Sequence, residues 1–425
     1  MKSILRTLSL GALAAALASC GGSGGSGDSA AGNGPAAGAV LPQATPAAGL
    51  TALSAIPGVP AWSTTGGNAG HTNYVPAVFD PAKFAQRFSW TLPAGASVTQ
   101  AQLALDNGQA FAVMQDAAGE WSLHALNEAT GKENWVTVLG KLELVDPPAT
   151  HDGKVVLSTQ AGADGDALLF FDQRTGALLD RQTIPSRSMP GHSSLDMRKA
   201  PVIADGGIYV NDRAAGKLIA KFDATTHKLV WESDWTGAAA YTFAPAVAGG
   251  RVYLSLSGGG LVGFDAATGN RVVDHHRQFT DAPMDGIVSD GVAYALAPGG
   301  VVATDIGQGS FKWQGPELME MAAPPGPALY GVAANAIQAL DTATGQVLWR
   351  MPTPGPTSVS NPMLATRNLL FVSTYPQTSA GTYAIDIATR KIVWSSPVGG
   401  WLSISPNGVL YITPFRGEIT AVNLQ

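Results

Sequence analysis

Ala339-Leu340-Asp341-Thr342-Ala343-Thr344-Gly345-Gln346-Val347-Leu348-Trp349 decides the fold, because the same frame stands at Ala125-Leu126-Asn127-Glu128-Ala129-Thr130-Gly131-Lys132-Glu133-Asn134-Trp135. The shared pattern is A-x-D/N-x-x-T-G-x-x-x-W. Weaker copies occupy 170–180, 221–231, 263–273, 303–313 and 384–394, each keeping the Asp and most of the frame. Asp and Thr hydrogen-bond the backbone of a tight turn, and Gly takes a positive φ that costs a side-chained residue energy. Each copy therefore reads as strand, turn, strand.

The two ends of the chain supply one more unit. Phe84-Ala85-Gln86-Arg87-Phe88-Ser89-Trp90 is β-prone and has no such turn before it, while Gly417-Glu418-Ile419-Thr420-Ala421-Val422-Asn423-Leu424 has the strand that precedes the turn and then stops. Upstream of each copy lies a second signature, a hairpin turn running into an alternating strand, as in Asp205-Gly206-Gly207 before Ile208-Tyr209-Val210. Short strands, Gly-rich turns and spacings of 36 to 51 residues between frame ends predict an all-β, eight-bladed β-propeller of four-stranded antiparallel blades. Its ring closes by pairing the N-terminal strand with the C-terminal blade. Trp90, Trp135, Trp231, Trp313, Trp349 and Trp394 hold frame-end positions, with Asp180 and Val273 as exceptions. A large flat ring there packs against the neighbouring blade, so these residues are expected to dock blades rather than to catalyse.

The start of the chain sets the compartment. Lys2 and Arg6 precede an apolar run from Leu8 to Ala18, too short to span a bilayer, which reads as a signal peptide over 1–19. Leu17-Ala18-Ser19-Cys20-Gly21 resembles the lipobox of bacterial lipoproteins, which implies acylation of Cys20 and, with Gly21 after it, an outer-membrane destination facing the periplasm. Cys20 is the single cysteine, so the rest of the chain can hold no disulfide or thiolate site. Residues 20–57 are Gly, Ser, Ala and Pro with few large side chains, a composition expected of a disordered tether. A flexible coil of about 36 residues would span roughly 30 to 36 Å. Residues 58–425 then form the propeller.

Removing Lys2 and Arg6 from the 25 basic residues leaves 23 against 31 acidic ones, a balance that argues against a nucleic-acid surface. His275 and His276, with Asp274 and Asp281, do not read as a metal site, because adjacent histidines on a strand point to opposite faces. His71, His124, His151, His192 and His227 are scattered among different repeats, and no serine or carboxylate is placed beside them as a triad requires; they are expected at the surface or in turns. The longest link, 181–199, carries Arg187, Met189, His192, Met197 and Arg198, residue types favoured at protein interfaces, and is the first candidate for partner contact. Tyr375–Gly381 and Pro414–Gly417 are lesser candidates.

The repeat resembles that of the quinoprotein (PQQ-like) propellers over roughly residues 60 to 425, including their tryptophan docking contacts, and Trp62–Tyr74 resembles the segment leading into their first blade. That resemblance implies one of two functions. One is a quinone-dependent dehydrogenase; the other is a non-enzymatic lipoprotein similar to the propeller subunit of the outer-membrane β-barrel assembly machine (BamB). Quinone-dependent alcohol dehydrogenases typically hold their cofactor beneath a Cys-Cys disulfide, and no such pair exists in this sequence. The expectation is therefore a scaffold without catalysis or cofactor, binding protein partners in the cell envelope, with the dehydrogenase-like propeller as the alternative.

Overall fold

The computed structural model describes residues 45–46, 52–98, 102–160, 165–184, 200–211, 217–234, 244–255, 261–275, 286–297, 299–333, 335–354, 363–374, 381–414 and 416–425. Apart from one 3-10 turn at Pro81–Lys83, the regular elements among them are strands, arranged as eight sheets that are antiparallel but for one parallel pair. Blades 1 to 7 follow the chain at 97–140, 144–183, 202–234, 246–275, 287–314, 320–352 and 364–396. Blade 8 takes its three inner strands from Trp401–Ile404, Val409–Thr413 and Glu418–Asn423, and its outer strand from Ala85–Thr91. The ring closes as expected, with Trp90 opposite Ile419 and Phe88 opposite Ala421.

The frame forms the turn between third and fourth strands. In blade 6 the Asp341 carboxylate accepts from the Thr344 backbone N–H at 2.8 Å and from its hydroxyl at 2.9 Å, and Asp172, Asp223, Asp265 and Asp386 repeat the arrangement. In every blade the backbone N–H just after the Asp or Asn donates to a carbonyl of the first hairpin, from Glu128 N to Gly108 O at 2.9 Å in blade 1 to Leu424 N to Gly408 O at 2.9 Å in blade 8. Both hairpin turns of each blade are thereby tied together on one face of the ring. The opposite face carries the longer connections.

Each indole links its blade to the next. Trp135 Nε1 donates to Gln173 O at 3.1 Å, Trp231 Nε1 to Ala266 O at 3.2 Å, and Trp313 Nε1 to Thr342 O at 2.9 Å. Such a bond contributes about 1 kcal/mol net, and the ring also covers the neighbour's turn. A Cβ on Gly176 would stand 2.4 Å from Trp135 Cε3, and one on Gly345 2.5 Å from Trp313 Cε3. The glycine of the turn is thus required by the preceding blade's indole as well as by its own positive φ. Trp349 instead has the Arg390 guanidinium over its ring at 5.6 Å, and Trp394 meets Phe84 edge-on at 5.6 Å. Trp90 donates to Gly131 O at 2.5 Å, but by register the frame-end place in blade 8 belongs to Phe88, two residues earlier, whose ring lies 4.3 Å from the indole.

Candidate functional site

Residues 62–79 line the inner rim of the ring and meet its blades in order. Trp62 exchanges backbone bonds with Leu105 of blade 1 at 3.0 and 2.8 Å; Ser63 O accepts from Thr150 of blade 2 at 2.8 Å; Thr64 Oγ1 donates to Pro201 O, next to blade 3, at 3.0 Å. Ala69 O accepts from Val247 of blade 4, Gly70 O from Val288 of blade 5, and Thr72 O from Ala323 at the end of blade 6's inner strand, at 2.7 to 2.9 Å. Tyr74–Val75 then pairs in parallel with Ala365 and Thr366 of blade 7, and the chain continues into the outer strand of blade 8. This segment was expected only to lead into the first blade. It is a strap that joins blades 1 to 7 and runs on into blade 8.

Side chains fix the strap. Gln102 accepts from Gly66 N at 2.5 Å and donates to Asn73 Oδ1 at 3.1 Å, while Asn73 Nδ2 donates to Met321 O at 3.1 Å. Both ring nitrogens of His71 face carbonyl oxygens, Thr65 O at 2.6 Å and Pro245 O at 2.9 Å. His71 is buried, and its backbone N–H closes a turn by donating to Asn68 O at 2.9 Å.

A second polar cluster lies in the seam between blades 8 and 1. Arg87 donates from Nε to Glu128 O at 3.1 Å and from Nη2 to Ala129 O at 2.9 Å, and Asn407 Nδ2 donates to Glu128 Oε2 at 2.6 Å. Burial pushes the Glu128 carboxyl pKa above its ordinary value, against hydrogen bonds and the Arg87 charge that pull it down. The Tyr411 phenol beside it is pushed well up by burial and by the Glu128 charge.

The same seam corrects the reading of His124. Ser122 Oγ lies 2.7 Å from His124 Nε2, and His124 Nδ1 lies 3.3 Å from Glu133 Oε1, a serine, histidine and carboxylate in the order of a catalytic triad. Ser122 and His124 are buried on the face of blade 1 turned to blade 8, since the cross-strand partner of Ser122, Met114, packs with Leu402 and Ile404. A nucleophile enclosed between two blades offers an acyl group no approach, so the chain of bonds reads as a polar tie between two strands of blade 1, buried in the seam. Sequence spacing put Ser122 and His124 on one face of a strand; Glu133 joins them only through the register of the next strand. His227 also sits beside a carboxylate: its Nδ1 is 2.7 Å from Asp180 Oδ2, and its ring stacks on Phe170 at 3.8 Å.

Cys20, and Arg187, Met189, His192, Met197 and Arg198, lie outside the described residues, as do His276, Asp281, residues 375–380 of one lesser loop and Phe415 of the other. Residues 45–46 and 52–57, inside the stretch expected as tether, meet blade 8: Thr45 pairs with Ser89, and Ile56 N donates to Pro406 O at 2.8 Å.

The fold class raises the question of a quinone bearing several carboxylates on the axis. Among the described residues the eight inner strands carry no lysine or arginine, but do carry Asp106 and Glu320, and no group of three or more His, Cys, Asp or Glu is placed to hold a metal ion. These described strands therefore offer a polyanionic cofactor no cationic side chain.

Comparison with known proteins places the architecture. No curated protein matches the sequence. Among solved structures, a "Europium-containing methanol dehydrogenase" superposes with a TM-score of 0.61 at 12% identity, covering 86% of this chain and 98% of that one. Quinohemoprotein alcohol dehydrogenase ADHIIG from Pseudomonas putida HK5 gives 0.62 at 13% identity, over 86% of this chain and 80% of its own. At these identities the likeness is one of fold. BamB from Moraxella catarrhalis gives 0.45 at 17% identity, over 82% and 98%. The sequence itself matches one family model over residues 18–211, 193–320 and 333–424. Matched over most of its length, the chain belongs to the PQQ-like propeller family whose model is described as "Outer membrane protein assembly factor BamB".

Proposed function

We propose that this protein is a non-catalytic propeller scaffold, tethered through a lipid on Cys20 to the outer membrane, facing the periplasm, where it binds other proteins during outer-membrane protein assembly. The observation that carries the reading is the family match along nearly the whole chain, under a description that names an assembly factor. The lipobox-like run ending at Cys20 supports the anchor, and the absence of a Cys-Cys pair from the sequence favours a scaffold over the dehydrogenase alternative. Arg187, Met189, His192, Met197 and Arg198, on the longest link, are the residues proposed to touch a partner. A crosslinked pull-down of the acylated protein from envelopes, beside Cys20→Ala, tests it. Assembly proteins should be recovered, with the variant released into the soluble fraction. A quinone spectrum on adding cofactor to the pure protein would instead favour the dehydrogenase.

A further inference from the structure

A propeller exposes the outer edge of each blade, and exposed edges are templates for pairing with another chain unless something guards them. Charged side chains are one common guard. In blades 2 to 7 the outer strands present Arg181, Asp234, Arg271, Lys312, Arg350 and Lys391 to solvent, and in blade 1 the outer strand carries the half-buried Glu133. The outer strand of blade 8, Ala85–Thr91, differs. Its exposed residues are Ala85, Gln86 and Thr91, and its one charged residue, Arg87, is buried, its guanidinium turned inward to Glu128 O and Ala129 O.

This edge is guarded by the chain itself. Thr45–Pro46 pairs antiparallel with it, Thr45 opposite Ser89 and Pro46 opposite Phe88, and among the described residues no other blade has a strand added to its outer side. The guard is slight. It is two residues long, and Pro46 has no N–H to donate. The next contacts of this arm with blade 8, Gln425 Nε2 to Ser54 O at 3.1 Å and Ile56 N to Pro406 O at 2.8 Å, are on the turn side and do not depend on the added strand.

We infer that the outer edge of Ala85–Thr91 is a strand-accepting site, which Thr45–Pro46 fills in cis and which an extended, uncharged segment of a partner protein fills in trans. The inference rests on the scaffold reading and gives it a mode of contact. Backbone pairing supplies the affinity, so the site is tolerant of partner sequence and favours chains that are extended and still unpaired. Displacing the proline-containing guard with a longer strand gains hydrogen bonds at an edge already shaped to accept them.

The test uses the full-length protein with Cys20→Ala and a labelled synthetic peptide of residues 41–50 carrying Pro42→Val and Pro46→Val. Fluorescence anisotropy compares this parent with Thr45→Pro, which leaves the cis strand without a backbone donor. The variant should bind the peptide at least tenfold more tightly, with unchanged thermal unfolding. Hydrogen exchange should show peptide-dependent protection confined to 85–91. Of two N-methylated peptides, blocked at odd or at even positions, one should bind and the other should not, since successive amides of a strand point to opposite sides. Equal affinity for parent and variant, protection at another blade, or equal binding of both N-methylated peptides overturns the inference. The scaffold reading is scored separately by the envelope pull-down: assembly proteins recovered by a chain that fails the peptide assay leave that reading standing and this one refuted.

Discussion

His227 supplies to Asp180 the ring that blade 2 does not supply to blade 3. At three other seams an indole on the outer strand covers a glycine in the neighbour's turn, Gly176, Gly269 or Gly345; here the outer-strand residue is Asp180, the turn residue is His227 at φ 60, and the imidazole reaches back to bond Asp180 at 2.7 Å and to stack on Phe170. Donor and acceptor of the contact have exchanged sides. Asp180→Trp alone sets an indole against the imidazole, and His227→Gly alone removes the imidazole from the carboxylate, leaving it to Gln182 and the Arg181 amide. Each should destabilise by about 1 to 3 kcal/mol, and the double variant should recover most of the loss, a coupling within the range seen for touching residues. Urea titration of the four proteins measures it, and simple additivity would show that the two positions are independent.

Gly345→Ala places a methyl group against Trp313 at a residue whose φ is 74, and should cost roughly 1 to 3 kcal/mol. Gly206→Ala, also at positive φ but with nothing within 4 Å of the new carbon, should cost only about 1 kcal/mol. Thermal unfolding separates the steric part from the conformational part.

Glu128 makes the seam between blades 8 and 1 sensitive to pH. Its folded pKa is raised by burial above 4.5, so the folded state binds its proton more tightly than the unfolded chain does. Its penalty is absent below the unfolded value and grows as pH rises through the folded one. Glu128→Gln keeps an acceptor for Asn407 and should raise stability at neutral pH while flattening this part of the stability curve. The frame aspartates act in the opposite sense. Bonds from the Thr344 hydroxyl and amide hold Asp341 below 3.8, so its contribution is lost as pH falls through that depressed value, and Thr344→Val should move the Asp341 titration upward in an NMR pH series.

Asn73→Ala removes two buried bonds from the strap, to Met321 O and from Gln102. A loss of about 2 kcal/mol is expected, measured by chemical denaturation. Proteolysis should then cut between 62 and 79 before any blade.

The blades and their closure were legible because each frame is local, its Asp, Thr and Gly serving a turn within a few residues. The strap was not, since its partners lie up to 289 residues away and its backbone bonds leave no pattern in side-chain type. The exchange at Asp180 and His227 left a trace: each breaks the frame in consecutive copies, and aligning the end of one copy with the turn of the next would have paired them. His124 went astray for a different reason. Glu133 reaches it across a bulge between Ala125 and Leu126, a shift that residue counting does not anticipate.

The strap also sets a timetable. It precedes every blade in sequence, yet its last inner contacts, with Ala365, Arg367 and Asn368, belong to blade 7, and the outer strand it leads into needs Glu418–Asn423. A chain synthesised amino end first therefore carries its axial segment unsatisfied until nearly all of it has emerged. Contacts of such long sequence separation form slowly. Maturation of this ring is thus governed by arrival of the carboxyl terminus, and a chain cut short in blade 8 would be left as an open, protease-prone arc.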